Sequence, residues 1–177
     1  MRVLASKPLR DRALLIVSSD HGEAFGEHGT TEHTKTLYDE LLRVPLVVWG
    51  KGVVPRAIEQ PVTLIDVGPT VLDVFGQPVP SHVVGESLVP LLAGRDVVFQ
   101  RPIVAEGRLR RAMLVGDLKV SVDLRRKTME AYDLARDPGE LEQLSSREPE
   151  RVRAALRAMD RFFEAHAYAA PGYRAPY

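Results

Sequence analysis

The stretch Ala13-Leu14-Leu15-Ile16-Val17-Ser18-Ser19-Asp20-His21-Gly22-Glu23 decides how the chain is read. Five apolar residues in a row, then small polar residues, then Asp-His-Gly, spell a buried strand that delivers a carboxylate and an imidazole at its carboxyl end. An uninterrupted apolar run suits a strand covered on both faces, as in the parallel sheets of α/β folds. In such sheets functional groups collect just beyond the carboxyl ends of the strands. Gly22 lets the backbone turn away. The stretch therefore points to a site around Asp20 and His21.

Composition bounds what that site can belong to. With 177 residues, 45% hydrophobic and 27% charged, the chain is an ordinary globular sequence long enough to bury a core. Lys+Arg and Asp+Glu both number 24, so the net charge is zero. That argues against nucleic acid or an anionic membrane as a bulk electrostatic partner and leaves room only for a local basic patch. Cysteine is absent, which removes disulfides, thiolate ligands and a Cys nucleophile and leaves the redox compartment open. No run approaches the roughly 18 apolar residues of a membrane span. The start, Met1 to Pro8, is too short and too quickly polar to be expected as a signal peptide, so localisation is undetermined.

Outward from the opening strand, residues 23–34 are rich in Gly, His, Thr and Glu and read as a loop. Thr36–Arg43 gives one or two helical turns with Leu37, Leu41 and Leu42 on one side. Val44–Trp49 is a second buried strand with Pro45 at its beginning, where no ladder donor is needed. Pro61–Phe75 is helical in pattern, with Gly76 as its carboxyl-terminal cap and Pro69 expected to kink it or divide it. Residues 78–94 form a turn-rich connector with a short apolar stretch, Leu88–Leu92. Strand-like runs at Ile103–Glu106, Ala112–Val115, Leu118–Val122 and Met129–Tyr132 predict an antiparallel meander. Glu150–His166 is the clearest helix, its apolar face formed by Val152, Leu156, Met159 and Phe163 and its first turn suited by Pro149. The tail from Ala169 is expected to be loose.

Taken together, these pieces resemble the carboxyl-terminal part of sulfatases and their relatives in the alkaline-phosphatase-like superfamily. Ser19-Asp20-His21-Gly22-Glu23 with Gly26-Glu27-His28-Gly29 is similar to the family's metal strand and following loop. Leu37-Tyr38-Asp39-Glu40-Leu41-Leu42-Arg43-Val44-Pro45-Leu46 resembles its helix-strand motif. Asp66-Val67-Gly68-Pro69-Thr70-Val71-Leu72 resembles its next helix, and Gly85-Glu86-Ser87-Leu88-Val89-Pro90-Leu91 its connector. Leu118-Lys119, Tyr132-Asp133-Leu134 and Asp137-Pro138-Gly139-Glu140 resemble its terminal strands and turn. The resemblance implies an α/β fold: a partial alkaline-phosphatase-like sheet with helices, followed by a small antiparallel strand meander and a C-terminal helix. It divides the chain into residues 1–100, part of the catalytic domain, and residues 101–177, a meander-plus-helix subdomain.

It also implies roles. By residue type alone, the commoner reading has Asp20 capping a turn and His21 as an ordinary loop histidine; the resemblance favours a divalent-metal pair. Many sulfatases have Asn where His21 stands, an all-oxygen set suited to Ca, whereas His tilts the single expected metal toward Mn or Zn. His33 is the candidate general acid for the leaving oxygen, and Lys35 the candidate cation for anionic substrate oxygens. The alternative for both is a solvated loop residue. His28 is a weaker candidate for a second metal. Glu23 and Arg43 are expected to be structural, His82 and His166 to lie on the surface, and the basic runs Arg108–Arg111 and Arg125–Lys127 to be solvated faces.

Family members are longer and carry further metal carboxylates and the nucleophile upstream. Ser6-Lys7-Pro8-Leu9-Arg10 fits the nucleophile pattern in only three positions and in the wrong place. The expected function is thus that of a metal-dependent hydrolase of sulfate or phosphate esters, present as a portion lacking its nucleophile. The expected partners are a small anionic ester and an upstream half-domain, or a second copy. The alternatives are an inactive fragment or split product that only binds, and a portion of a phosphoglycerol-transferase-like enzyme.

Overall fold

The computed structural model describes residues 12–31 and 36–166. In chain order these form β1 (Leu14–Ser18), a 3₁₀ turn (Glu27–Gly29), α1 (Asp39–Leu42), β2 (Leu46–Gly50), a second 3₁₀ turn (Leu64–Asp66) running into α2 (Val67–Val74), α3 (Val89–Leu92), β3 (Ile103–Gly107), β4 (Arg110–Val115), β5 (Leu118–Asp123), β6 (Thr128–Asp133) and α4 (Pro149–Ala165). The described residues fall into two compact units. One holds the stretch up to Asp20 and Val44–Gln100; the other holds His21–Arg43 and the chain from Arg101 onward.

In the first unit β1 and β2 pair with each other in antiparallel register, from Leu14 opposite Gly50 to Ser18 opposite Leu46. The apolar run suited a strand of the kind found in parallel α/β sheets, and these two strands pair antiparallel. An uninterrupted apolar run asks for cover on both faces; it does not fix strand direction. Among the described residues, those of β1 are half-buried or exposed. Val17 and Val47, directly opposite each other, are 50% and 57% exposed.

The expected helical stretch around Pro69 is two short pieces, the 3₁₀ turn Leu64–Asp66 and α2, with the change at Val67 rather than at the proline itself. α2 begins at Val67, so Pro69 sits in its first turn, where no intrahelical donor is required. The helix ends as expected: Gly76 takes φ +63°, its N–H bonds Asp73 O, and Gln77 N–H bonds Leu72 O. The core around α2 and α3 is partly polar. Asp66 accepts the N–H groups of Thr63 and Glu86 at 2.9 Å each, while the Thr70 hydroxyl donates to Asp66 O and accepts Leu88 N–H at 2.8 Å. Gly85 is seated so closely that a Cβ would lie 2.1 Å from Ile65 O.

The second unit contains the four-stranded antiparallel meander, ordered β3-β4-β5-β6. α4 covers it, burying Val152, Ala155 and Met159 against Met113, Leu118, Val120 and Ala131. Leu156 and Phe163 pack at the margin of this core. Pro149 opens α4, where its missing N–H costs nothing. The antiparallel meander and C-terminal helix stand as the sequence predicts.

Candidate functional site

β1 ends at Ser18, and Asp20 and His21 follow within three residues. Ser18 anchors this end of the strand through its hydroxyl, which donates to Pro45 O at 2.8 Å. Both Asp20 and His21 are exposed. His21 Nδ1 lies 2.7 Å from Gly22 O. A carbonyl oxygen only accepts, so Nδ1 carries the proton, the tautomer in which Nε2 holds the coordinating lone pair of a neutral imidazole. Gly22 is pressed onto α1: its N–H donates to Leu41 O at 2.8 Å, and a Cβ there would lie 2.0 Å from Glu40 O. The glycine is required by this close approach, and α1 thereby sets where the turn after Asp20–His21 runs.

α1 is held in turn by the meander's unit. Lys119 on β5, 3% exposed, lies 2.7 Å from Asp39 Oδ1 and 2.8 Å from Glu140 Oε1. Glu140 Oε2 accepts the Asp39 N–H at 2.6 Å. Burial raises the Glu140 carboxyl above the ordinary carboxylate range, although Lys119 pulls the other way. The Tyr38 hydroxyl donates to Glu130 Oε2 at 2.9 Å, and burial, then that carboxylate, pushes its pKa up.

His28 completes the cluster. Its ring stacks on Tyr38 with 3.7 Å between centroids. Nδ1 lies 2.9 Å from Glu40 Oε1, while Nε2 faces the carbonyl oxygens of Gly139 and Glu140 at 3.1 and 3.2 Å. Burial alone would lower its pKa, but Glu40 and the Glu140 backbone leave it raised. His28 and Glu140 both have left-handed backbones, φ +49° and +53°, which non-glycine residues seldom adopt. No group of three or more His, Cys, Asp and Glu side chains is placed to hold a metal ion among the described residues. As donors, Asp20 and His21 are an oxygen–nitrogen pair of the right chemistry for a divalent cation, and a complete shell needs more.

The structure thus places Asp20 at the end of one unit and His21 at the beginning of the other. His33, Lys35 and the Ser6–Arg10 pattern lie outside the described residues. His82 and His166 are exposed, as expected. Arg110 pairs with Asp123, and Arg111 lies against both Glu106 and the Phe163 ring, so part of the first basic run is structural. What sequence reading missed is the joint purpose of three motifs. Tyr38-Asp39-Glu40, Leu118-Lys119 and Asp137-Pro138-Gly139-Glu140 meet in one network. A lone Lys between apolar strand residues, 119, was the available signal.

The family model described as Sulfatase matches residues 2–77. The Delta 4,5-hexuronate-2-O-sulfatase of Bacteroides thetaiotaomicron is 28% identical over 163 residues, covering 82% of this chain and 33% of its own length. Arylsulfatase K of Homo sapiens is 37% identical over 84 residues, covering 47% of this chain and 16% of its own. The solved structure of a 2-O GAG sulfatase superposes with a TM-score of 0.76 at 25% identity, covering 93% of this chain and 38% of that one. The chain is thus similar in sequence to sulfatases and shares the α/β fold of a solved sulfatase structure, and it spans no more than 33% of the length of these two curated relatives.

Proposed function

We propose, on the premise of this kinship with sulfatases, that the chain is the portion of a sulfate-ester hydrolase that presents the metal pair Asp20 and His21 to the substrate. The observation that supports this best is the placement of the pair directly after β1, with the His21 ring held through Nδ1 and the following Gly22 seated on α1. The two side chains would hold one divalent cation, Mn, Zn or Ca. Bound there, such an ion supplies electrophilic polarisation of an ester oxygen and activation of a nucleophile. His33 would hand a proton to the leaving oxygen, and Lys35 would bind anionic oxygens of the ester. Residues 1–100 would belong to the catalytic domain and residues 101–177 to a supporting subdomain. The nucleophile and the remaining ligands would come from the part of the fold that this chain does not match.

Metal content and turnover test the reading together. The chain, joined by the polypeptide encoded immediately upstream, is expected to retain a divalent metal and to hydrolyse 4-nitrophenyl sulfate faster than 4-nitrophenyl phosphate. Asp20→Ala is expected to remove the metal and lower turnover by at least about a hundredfold. Unchanged metal content in Asp20→Ala, or full turnover by the chain alone, would overturn it. A second reading, a portion that binds but does not catalyse, draws support from there being no third donor beside the pair among the described residues. Unrelated coding sequence upstream would favour that reading.

A further inference from the structure

His28 stands at a junction that the proposed chemistry does not use. Four features converge on it: acceptors at both ring nitrogens, a stacked aromatic ring, a left-handed backbone, and a partner turn whose Glu140 is left-handed as well. Strained backbone of this kind persists only where the surroundings over-determine it, and it concentrates where geometry is functional. The acceptors dictate the protonation state. Glu40 Oε1 on α1 faces Nδ1, and the carbonyl oxygens of Gly139 and Glu140 face Nε2, and neither side can donate. A neutral imidazole has one N–H and would leave one of these sides without a donor; the imidazolium satisfies both. The charged and titratable groups around the ring are Glu27 on its own turn, Tyr38 and Glu40 at α1, and Glu140 across the unit, with the Lys119 cation countering Glu140 from behind and Asp39 as a further carboxylate beside that lysine. The surrounding charge thus favours the cation.

We propose that His28, held as an imidazolium, is a positioning residue that fastens the loop following Asp20–His21 to both α1 and the Gly139–Glu140 turn, so that one proton sets the order of that loop. The loop's own hydrogen bonds include local ones, among them Gly26 N–H to Thr30 O, Gly29 N–H to Gly26 O, Thr30 N–H to Glu27 O and Phe25 N–H to Glu27 Oε2. Beyond them, and besides the Gly22 N–H bond to Leu41 O, His28 spans 12 residues to Glu40 and 112 to Glu140 and so ties the loop to the later part of the unit. Loss of the proton removes the His28 donor on one side, and the loop is then held more weakly. The functional meaning of this fastening rests on the proposed role of Asp20 and His21, but the fastening itself does not.

The test therefore uses neither metal nor turnover. In the full chain, the His28 ring is followed by imidazole NMR from about pH 5.5 to about pH 9 while amide protection factors are measured for Gly26, Gly29 and Thr30. His28 is expected to titrate above about 6.5. Over the same midpoint, loop protection is expected to fall about tenfold, the size of losing a hydrogen bond to a charged group. Val120 and Ala131 in the meander should be unaffected. His28→Asn tolerates the left-handed backbone and cannot titrate; it is expected to give low loop protection at every pH. A His28 midpoint at or below about 6.5, or wild-type protection that is flat with pH, overturns the proposal. Should the variant not fold, the wild-type titration decides alone. These outcomes leave the metal reading where it stood, since Asp20→Ala reads that separately.

Discussion

Lys119 carries its charge at 3% exposure, between Asp39 and the nearly buried Glu140. Removing one member of such a buried pair strands the other, so Lys119→Met is expected to cost about 3–5 kcal/mol. A urea titration measures it, and adding Glu140→Gln should return part of the loss, because no buried charge is left unpaired. Simple additivity of the two substitutions would contradict the pairing. His28 has the opposite pH logic from a paired carboxylate. Its folded-state pKa is raised, so its contribution is fully present below the ordinary histidine value and is lost as pH rises through the raised one. The stability difference between wild type and His28→Asn should therefore shrink toward alkaline pH. Gly22→Ala is expected to cost about 1–3 kcal/mol and to remove protection of that amide, because the new Cβ meets Glu40 O. At this scale the sequence was only partly legible. Residue types marked Asp20 and His21, but His28 was legible only as a weak metal candidate, since its partners lie up to 112 residues away.

The elements follow their patterns closely where the pattern is local. α4 forms because Val152, Met159 and Phe163 recur on one stripe over 17 residues, and the meander's strands alternate with turn residues. Met159, 1% exposed, anchors α4 on β4 and β5, so Met159→Ala is expected to cost about 2–5 kcal/mol and to lower the melting temperature measurably by circular dichroism. Where pairing is non-local, pattern said less. The apolar runs of β1 and β2 were found within a residue or two, yet their antiparallel register depends on residues 28 or more apart in the chain, and periodicity carries no direction. The point of division near Pro69 was not legible for a related reason. A proline's effect depends on its distance from the helix start, and that start lies six residues later than Pro61, at Val67. The buried Asp66 and Thr70 explain why Asp66–Thr70 and Gly85–Leu88 recur as recognisable motifs: the first supplies the acceptors that the second's backbone N–H groups need.

At the scale of the whole molecule, the described residues display exposed apolar surface. Val17 and Val47 stand open on the β1–β2 ribbon, whose strands carry no charge to deter pairing, and Phe75 and Val98 are 73% and 70% exposed. Light scattering on the purified chain is expected to show oligomers that grow with concentration; a stable monomer at high concentration would count against this surface as a site of association. The order of the segments has a further consequence, during synthesis. His21–Arg43 shares its unit with residues from Arg101 onward, not with those that follow it directly. The Asp39 amide emerges 101 residues before the Glu140 carboxylate that receives it. At about 5–20 residues per second, the ribosome leaves that loop and helix without their anchor for on the order of 5–20 s. A nascent chain paused within the β5–β6 region would expose His21 and His28 to whatever chaperone or metal pool surrounds the ribosome, before the buried lysine is in place to secure them.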